Sequence, residues 1–272
     1  MKTLKKFELA VLFTAFLFSW INYAQGDNAE EFKPMYLTIT TTTWNADPEA
    51  DFSDWLETEK EFFNKVTKKN DLIVGSGFYT HLYTPNSMEV LLVNVYKTWD
   101  DIEKSNEINN KLIEEGWPDE EQRKAFFKKQ QAYYSADHSD EIYMTSRFMK
   151  PLSEISEKPL IYYVRQSNLA MDGEGSTKDF EEFFENIIAK NSVLKGYYSH
   201  RHLWGSNARE FSEVFVYENM NDIQKAQEET TKLINSYWPD EEKRKAFFKD
   251  FNKIFTGVHG DYIYQNVPEL AK

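Results

Sequence analysis

Hydrophobic and polar positions change their period several times between residues 35 and 150. The stretch YLTITTTTW is rich in β-branched residues, which predicts a strand, whereas Asp51 to Lys69 carries apolar residues at mostly helical spacing. Two further strand patterns, LIVGSGFYTHLY and MEVLLVNVY, flank the turn-forming stretch TPNS and predict a hairpin. This segment therefore predicts a strand, a helix and a two-stranded hairpin, in that order.

The remainder of the segment predicts two helices and a closing strand. Thr98 can cap a helix that reaches Glu115, and Pro118 suits the first turn of a second helix that runs to about Tyr134. The stretch EIYMTSRF then supplies the closing strand. The order is βαββαβ with two helices in the second crossover, which is the ferredoxin-like arrangement.

The chain contains this pattern twice. The phrase WPDEEQRKAFFK at 117–128 returns as WPDEEKRKAFFK at 238–249, an offset of 121 residues, and matches continue on both sides of it. We place the repeats at 35–150 and 159–272, joined by a linker at 151–158; so long a period indicates duplicated domains. We interpret the phrase as the start of a packing helix, with acidic residues at the positive end of its dipole. A ligand-facing Trp or Arg is the alternative.

A tandem βαββαβ chain resembles the dimeric α/β-barrel superfamily in its fused form, in which two ferredoxin-like sheets pack face to face. The resemblance rests on element order and duplication, and no specific family signature accompanies it. It implies an α+β fold and a pseudo-dimeric barrel. It also implies a range of activities, since similar proteins include cofactor-free monooxygenases, haem-binding peroxidases and chlorite dismutases, small-molecule isomerases and stress-responsive proteins.

The N-terminus and the composition restrict the compartment and the partners. Lysines precede an apolar run from Leu9 to Ile21 and the small residue Ala24, which predicts a signal peptide at 1–24, a linker at 25–34 and a secreted or periplasmic protein. The chain has no cysteine, which excludes disulfides and thiolate metal sites. The formal charge of −13 includes +2 from the leader, so the mature chain carries −13 − 2 = −15. This charge argues against nucleic acid and anionic membranes as partners.

Strand alternation divides each predicted strand into two faces. One face of the first repeat is apolar and is expected to meet the helices: Leu37, Ile39, Val93, Val95, Ile142 and Met144. The other face, in both repeats, is crowded with Tyr, His and Trp, so we expect it to line a small-molecule pocket between the sheets; a simple solvated face is the alternative. The predicted ligand-binding residues are Tyr79, His81, Tyr96, Arg165, Tyr198, His200, His202, Glu213 and Tyr217.

Histidines and one arginine carry the candidate chemistry. The alignment of the repeats slips by two residues around GSGFYTH and KGYYSH, which matches His81 with His200. These two histidines are the best candidates for a general base, with packed, hydrogen-bonded histidines as the alternative. Arg165 suits a carboxylate ligand, or Glu213 on a neighbouring strand neutralises it.

Two further histidine patterns raise the question of a metal or haem. His200 and His202 lie two apart on a strand, and Glu213 could add an oxygen ligand, but two histidines are a weak signal and no metal is predicted. His138 and His259 occupy matched H-x-D stretches, expected to be turns before the last strand of each repeat. A structural role is expected there, and an axial haem ligand or an Asp-oriented base is the alternative.

Together these observations predict an exported small-molecule-binding barrel. As an enzyme it would perform proton transfer, isomerisation or cofactor-independent oxygenation of a planar or aromatic molecule. The alternative is a non-catalytic binding or carrier module, including a haem-binding version. The sequence has no Gly-rich phosphate loop, nucleophile elbow, H-E-x-x-H or EF-hand pattern, so the reaction stays unnamed. Fusion of the repeats satisfies the usual dimer requirement internally and predicts a monomer.

Overall fold

The structure is a computed structural model, and it describes residues 32–45, 51–154, 156–171 and 173–272. The predicted signal peptide lies outside the described residues. The first repeat consists of β1 (Tyr36–Trp44), α1 (Phe52–Lys65), β2 (Ile73–Tyr83), β3 (Glu89–Tyr96), α2 (Trp99–Gly116), α3 (Glu120–Ala132) and β4 (Tyr134–Thr145). The second consists of β5 (Ile161–Leu169), α4 (Thr177–Phe183), β6 (Gly196–Trp204), β7 (Glu210–Tyr217), α5 (Asn221–Tyr237), α6 (Glu241–Phe251) and β8 (Phe255–Asn266). A π-helical turn, Phe184–Ile188, extends α4.

The eight strands form a closed antiparallel barrel. Each repeat contributes a four-stranded ferredoxin-like sheet, in the orders β4-β1-β3-β2 and β8-β5-β7-β6. Strand β2 pairs with β8, and β4 pairs with β6, so the two sheets join by hydrogen bonds at both edges. The predicted fold class is confirmed: two tandem ferredoxin-like repeats form a pseudo-dimeric α/β barrel.

The doubled phrase begins a packing helix in each repeat. Asp119 and Asp240 are the N-caps of α3 and α6, and their carboxylates accept hydrogen bonds from backbone N–H groups of the first turn. The ring of Trp117 lies 4.2 Å from that of Phe126, and its carbonyl accepts a hydrogen bond from Arg123. The second repeat has the same contacts. These contacts support the structural interpretation of the phrase.

Two packing clusters distinguish the outer face of the barrel from its interior. The outer cluster joins helix residues such as Phe180 and Ala226 to Tyr197 and Tyr217 of the sheet. The other cluster contains no helix residue, so it lies in the barrel interior. Its members are Leu160, Tyr162, Val216 and Tyr264, with Tyr79, Leu91, Leu152, Val164, Tyr198, Val214 and Tyr262 packed against them.

The predicted division of strand faces is right for half of the strands. On β2, β4, β6 and β8 the polar set faces inward, as expected. On β1 and β3 the apolar residues Leu37, Ile39, Val93 and Val95 face the interior, since they alternate with the outward Tyr96, which lies against Ser105 of α2. Alternation separates two faces, but only the closed barrel decides which face is enclosed.

Strand register also corrects the alignment of the repeats. Tyr79 pairs with Leu91 in the first repeat, and His200 pairs with Ser212 in the second. Leu91 and Ser212 are 121 residues apart, so the offset of 121 holds along β2 and β6. His81 therefore corresponds to His202, and the match of His81 with His200 is wrong. Similar aromatic residues on both strands suggested a slip that the hydrogen-bonded register does not contain.

The C-terminal segment of each repeat packs on the other repeat. Lys150 donates from Nζ to the carbonyl of Asn191 at 2.8 Å, and Lys272 donates to the carbonyl of Asn70 at 2.8 Å. Leu270 is fully buried in a cluster with Trp55 of α1. These reciprocal contacts hold the repeats together outside the barrel. No helix in the described part of the chain is long and apolar enough to cross a membrane.

Candidate functional site

A tyrosine, a glutamate and a histidine from different repeats meet inside the barrel. Tyr143 of β4 donates a hydrogen bond to Oε1 of Glu210 on β7 at 2.5 Å. Tyr143 also pairs with His202 of β6, and their rings meet edge to face at 5.0 Å between centroids. We call Tyr143, Glu210 and His202 the second-repeat cluster, because its glutamate and histidine belong to the second repeat.

An equivalent cluster occupies the pseudo-symmetric position. Tyr264 donates to Oε1 of Glu89 at 2.7 Å, and Tyr264 pairs with His81 along the barrel. Each residue lies 121 positions from its counterpart, so the two clusters are related by the duplication. We call Tyr264, Glu89 and His81 the first-repeat cluster.

The histidines of the two clusters differ in their hydrogen bonds. Nδ1 of His81 accepts a hydrogen bond from the backbone N–H of Thr84 at 3.2 Å and lies 2.9 Å from its hydroxyl. In the second repeat the position of Thr84 is Gly205, and a Cβ there would lie 2.9 Å from Nε2 of His202. His202 is 4% exposed, and neither of its ring nitrogens has a hydrogen-bond partner among the described residues. In the second-repeat cluster, therefore, both ring nitrogens of the histidine are unpaired among the described residues, whereas Nδ1 of His81 is already bonded.

His200 adds a second buried imidazole beside this cluster. It is 8% exposed, and its Nδ1 has no hydrogen-bond partner in the described ranges. Burial lowers the pKa of His200 to about 4, so its ring is neutral at neutral pH. Tyr79 occupies the corresponding position in the first repeat. The second repeat thus has two buried imidazoles where the first has one hydrogen-bonded histidine and a tyrosine.

Two carboxyl groups flank the Tyr143 hydroxyl. Burial raises the pKa of Glu210 by more than the hydrogen bond from Tyr143 lowers it. Burial also acts on Glu141, but hydrogen bonds from Ser206 and Tyr143 outweigh it and lower the pKa of that carboxyl. Burial and both carboxylates raise the pKa of Tyr143. The site therefore combines an ionised carboxylate, a carboxyl that holds its proton more strongly, and a protonated phenol.

Tyrosine rings form much of the remaining interior. The rings of Tyr79 and Tyr162 meet edge to face at 4.8 Å, and the backbone N–H of Leu152 in the linker donates to the Tyr198 hydroxyl at 3.0 Å. Tyr79, Tyr198 and Tyr262 are only partly buried although they face inward. Solvent therefore reaches part of the barrel interior, and the linker covers part of it.

Four of the predicted ligand-binding residues lie on the opposite, outer face, which corrects their predicted place. These residues are Tyr96, Arg165, Glu213 and Tyr217. Arg165 donates from Nε to Asp261 at 3.2 Å, and Glu213 accepts a hydrogen bond from Tyr197 at 2.7 Å. Arg165 and Glu213 are also paired across β5 and β7, which favours the structural pairing. The other five predicted residues, Tyr79, His81, Tyr198, His200 and His202, face the interior.

The surroundings of the histidines in the described part of the chain bear on metal and haem ligation. Glu213 faces away from His200 and His202, and no group of three His, Cys, Asp or Glu residues among the described residues could hold a metal ion. His138 and His259 were predicted to lie in turns, but they lie within strands β4 and β8. Their Nε2 atoms are 3.2 and 3.3 Å from the carboxylates of Asp140 and Asp261, respectively. His202 is enclosed by the Tyr143 ring and the Gly205 turn. His138 and His259 lie on outward strand positions beside carboxylates, so neither is placed to hold a haem inside the barrel.

Solved structures with the same fold are distant in sequence. A protein of Fusobacterium nucleatum subsp. nucleatum, provisionally named a monooxygenase, superposes with a TM-score of 0.55 at 10% identity over 87% of this chain and 94% of its own. An anthrone oxidase-like protein superposes with a TM-score of 0.49 at 12% identity, over 87% of this chain and 92% of its own. A variant of the chlorite dismutase of Candidatus Nitrospira defluvii superposes with a TM-score of 0.48 at 13% identity, over 87% of this chain and 92% of its own.

The chain has the dimeric α/β-barrel fold in its tandem-duplicated form. No family model matches the chain, and no curated protein matches it. Within this dimeric α/β barrel, three site residues were missing from the predicted set: Tyr143, Glu141 and Glu210. A signal for two of them was present, because Tyr143 and Tyr264, like Glu89 and Glu210, recur at the offset of 121. Glu141 has no such signal, since its counterpart is Tyr262.

Proposed function

We propose that the protein binds a small planar molecule inside the barrel, at the second-repeat cluster, and transfers a proton to or from it. The supporting observation is His202, whose two ring nitrogens are buried without a hydrogen-bond partner in the described part of the chain. Buried polar groups in folded proteins nearly always have a partner, because an unpaired one costs about 1–3 kcal/mol. A ligand with complementary polar atoms would supply that partner.

The cluster supports a definite division of roles. His202 would accept a proton from an acidic C–H or O–H group of the ligand, and the ionised Glu141 would stabilise the resulting imidazolium. The Tyr143 hydroxyl, which donates to Glu210 in the structure, would redirect its one proton to a ligand oxygen on which negative charge develops. Proton abstraction of this kind is the first step of both isomerisation and cofactor-independent oxygenation. The Fusobacterium neighbour is provisionally named a monooxygenase, so oxygen uptake is the first reaction to assay.

A matched pair of variants tests this proposal. His202→Gln removes the candidate base, while His81→Gln changes its pseudo-symmetric counterpart. A library of planar small molecules is screened by ligand-observed NMR, and each molecule that binds is followed for hydrogen–deuterium exchange at its acidic positions and for oxygen uptake. We expect His202→Gln to abolish exchange and His81→Gln to retain it. Equal loss in both variants, or full retention in His202→Gln, contradicts the proposal.

The same experiment distinguishes an enzyme from a non-catalytic binding or carrier protein. A non-catalytic binding module would show ligand binding that His202→Gln weakens, with neither exchange nor uptake in the wild type. Titration with hemin tests whether the protein binds haem. A haem-binding protein is expected to shift the Soret band of hemin on mixing. Binding of hemin through His81, His200 or His202 would contradict the assignment of the interior site.

We further propose that the protein is exported as a monomer after removal of residues 1–24. The leader pattern and the lack of cysteine support export, and fusion of the repeats supports a monomer. Expression of the full chain in a bacterium, followed by N-terminal sequencing of the periplasmic form, tests the cleavage after Ala24. Size-exclusion chromatography with light scattering tests the oligomeric state. An uncleaved cytoplasmic product or a stable dimer would contradict the respective statement.

A further inference from the structure

The charged side chains at the inward positions of the described strands are all acidic. Glu89, Glu141 and Glu210 lie on inward positions, where Tyr264 and Tyr143 donate hydrogen bonds to them. The inward positions of the eight described strands contain no lysine or arginine. We infer that the ligand of this interior is a small organic cation, a protonated or quaternary amine attached to a planar group; the inference rests on the proposed function.

Tyrosine rings favour the same class of ligand. The inward rings of Tyr79, Tyr162, Tyr198 and Tyr262 lie around the interior beside the two clusters. The face of an aromatic ring carries partial negative charge and attracts an ammonium group, by about 0.5–2 kcal/mol depending on its hydration. The planar part of the ligand would pack on the same rings. Carboxylates and aromatic faces together are the usual recognition elements for an organic ammonium ion.

The two buried imidazoles add hydrogen-bond acceptors to the interior. His200 is neutral at neutral pH, and its Nδ1 has no partner among the described residues, like the two nitrogens of His202. A neutral imidazole has one nitrogen that accepts a hydrogen bond, and ammonium N–H groups are strong donors. An orphan nitrogen that carries no proton is therefore complementary to a protonated amine.

An anionic ligand would meet no lysine or arginine at the inward positions of the described strands. Arg165, the predicted carboxylate-binding residue, lies on the outer face and donates to Asp261. A carboxylate inside the barrel would face glutamates at a site of reduced dielectric constant, where like charges repel each other more strongly than in water. The interior therefore selects against anions as well as for cations.

Three probes of similar size test the sign of the charge. Benzylammonium, benzyl alcohol and benzoate share a planar ring, and their affinities for the full chain are measured by NMR titration at pH 7. We expect benzylammonium to bind at least about tenfold more tightly than benzoate, with benzyl alcohol between them. Benzoate or benzyl alcohol binding as tightly as benzylammonium would overturn the cation inference and leave the proposed interior site standing. Lack of binding by all three would overturn both.

Charge-neutralising variants locate the effect. Glu141→Gln and Glu210→Gln should each weaken benzylammonium binding about tenfold and leave benzyl alcohol unchanged. Glu213→Gln is the matched control, since Glu213 is also bonded to a tyrosine but lies on the outer face. An equal effect of Glu213→Gln would overturn the location. If a variant fails to fold, the three probes on the wild-type protein still decide the sign.

Discussion

His202 occupies in the second repeat the position that His81 occupies in the first, and the two differ in their hydrogen bonds. Thr84 holds Nδ1 of His81, whereas neither ring nitrogen of His202 has a partner in the described part of the chain. Because the fold is duplicated, the first repeat shows what the barrel requires for its own stability. A hydrogen-bonded histidine satisfies that requirement, so the difference at His202 points to a ligand.

The pH dependence of stability should contain a contribution from His200. Its pKa is about 4 in the folded protein and near 6.5 when unfolded, so the unfolded chain takes up the proton first as the pH falls. The buried neutral ring therefore adds to the free energy of unfolding above pH 6.5. This contribution decreases as the pH falls from 6.5 and is lost as the pH falls through about 4, a total change of about 3 kcal/mol. Denaturant unfolding of the wild type and of His200→Gln between pH 7 and 4 measures it.

The informative quantity is the difference between these two proteins, because other titrating groups cancel in it. His138→Gln is a suitable control, since His138 is exposed beside Asp140. A difference that stays constant from pH 7 to 4 would contradict the burial of His200 as a neutral ring.

Gly205 should tolerate no side chain. Its φ is +133°, and a Cβ there would lie 2.7 Å from Cγ of Glu141 and 2.9 Å from Nε2 of His202. Gly205→Ala should therefore lower the free energy of unfolding by about 3 kcal/mol, from backbone strain and displacement of both groups. Gly257 has a φ of +80°, and a Cβ added there would have no atom within 4 Å, so Gly257→Ala should cost only about 1–2 kcal/mol. Equal costs in chemical denaturation would exclude a steric role for the Gly205 turn.

The two inter-repeat tyrosines should contribute similarly to stability and differently to function. Tyr143→Phe and Tyr264→Phe each leave a partly buried glutamate without the hydrogen bond that now crosses between the repeats. Each should cost about 1–3 kcal/mol in urea denaturation. Only Tyr143→Phe should abolish the proton exchange of a bound ligand. Loss of exchange in Tyr264→Phe with retention in Tyr143→Phe would assign the function to the other cluster.

The C-terminal segment should be essential for the first repeat although it follows the second. Leu270 is 0% exposed and packs on α1, so Leu270→Ala should cost about 2–5 kcal/mol. Val258 is 62% exposed, and Val258→Ala should change stability by less than about 0.5 kcal/mol. Thermal unfolding of both variants checks this prediction. A similar melting temperature for both would mean that the segment does not hold the repeats together.

The sequence by itself determined the elements and their duplication. Period-two and helical spacings are local properties, and two copies of one phrase set the offset of 121 residues. Those features were enough for a ferredoxin-like repeat and for the division of each strand into two faces. The pseudo-dimeric barrel followed from the resemblance to the dimeric α/β-barrel superfamily. They also placed His200, His202 and Tyr198 among the candidates, because their polar tips are unusual for a helix-covered face.

Only the tertiary structure decided which face is enclosed and which residues meet there. In the closed barrel Arg165 and Glu213 face outward and Leu37 faces inward. The hydrogen bonds that join β2 to β8 and β4 to β6 decide which face of each strand is enclosed. The same register paired His202 with Tyr143 and brought Glu210 to its hydroxyl. Residues so far apart in the chain meet through long-range strand pairing, which local spacing does not encode.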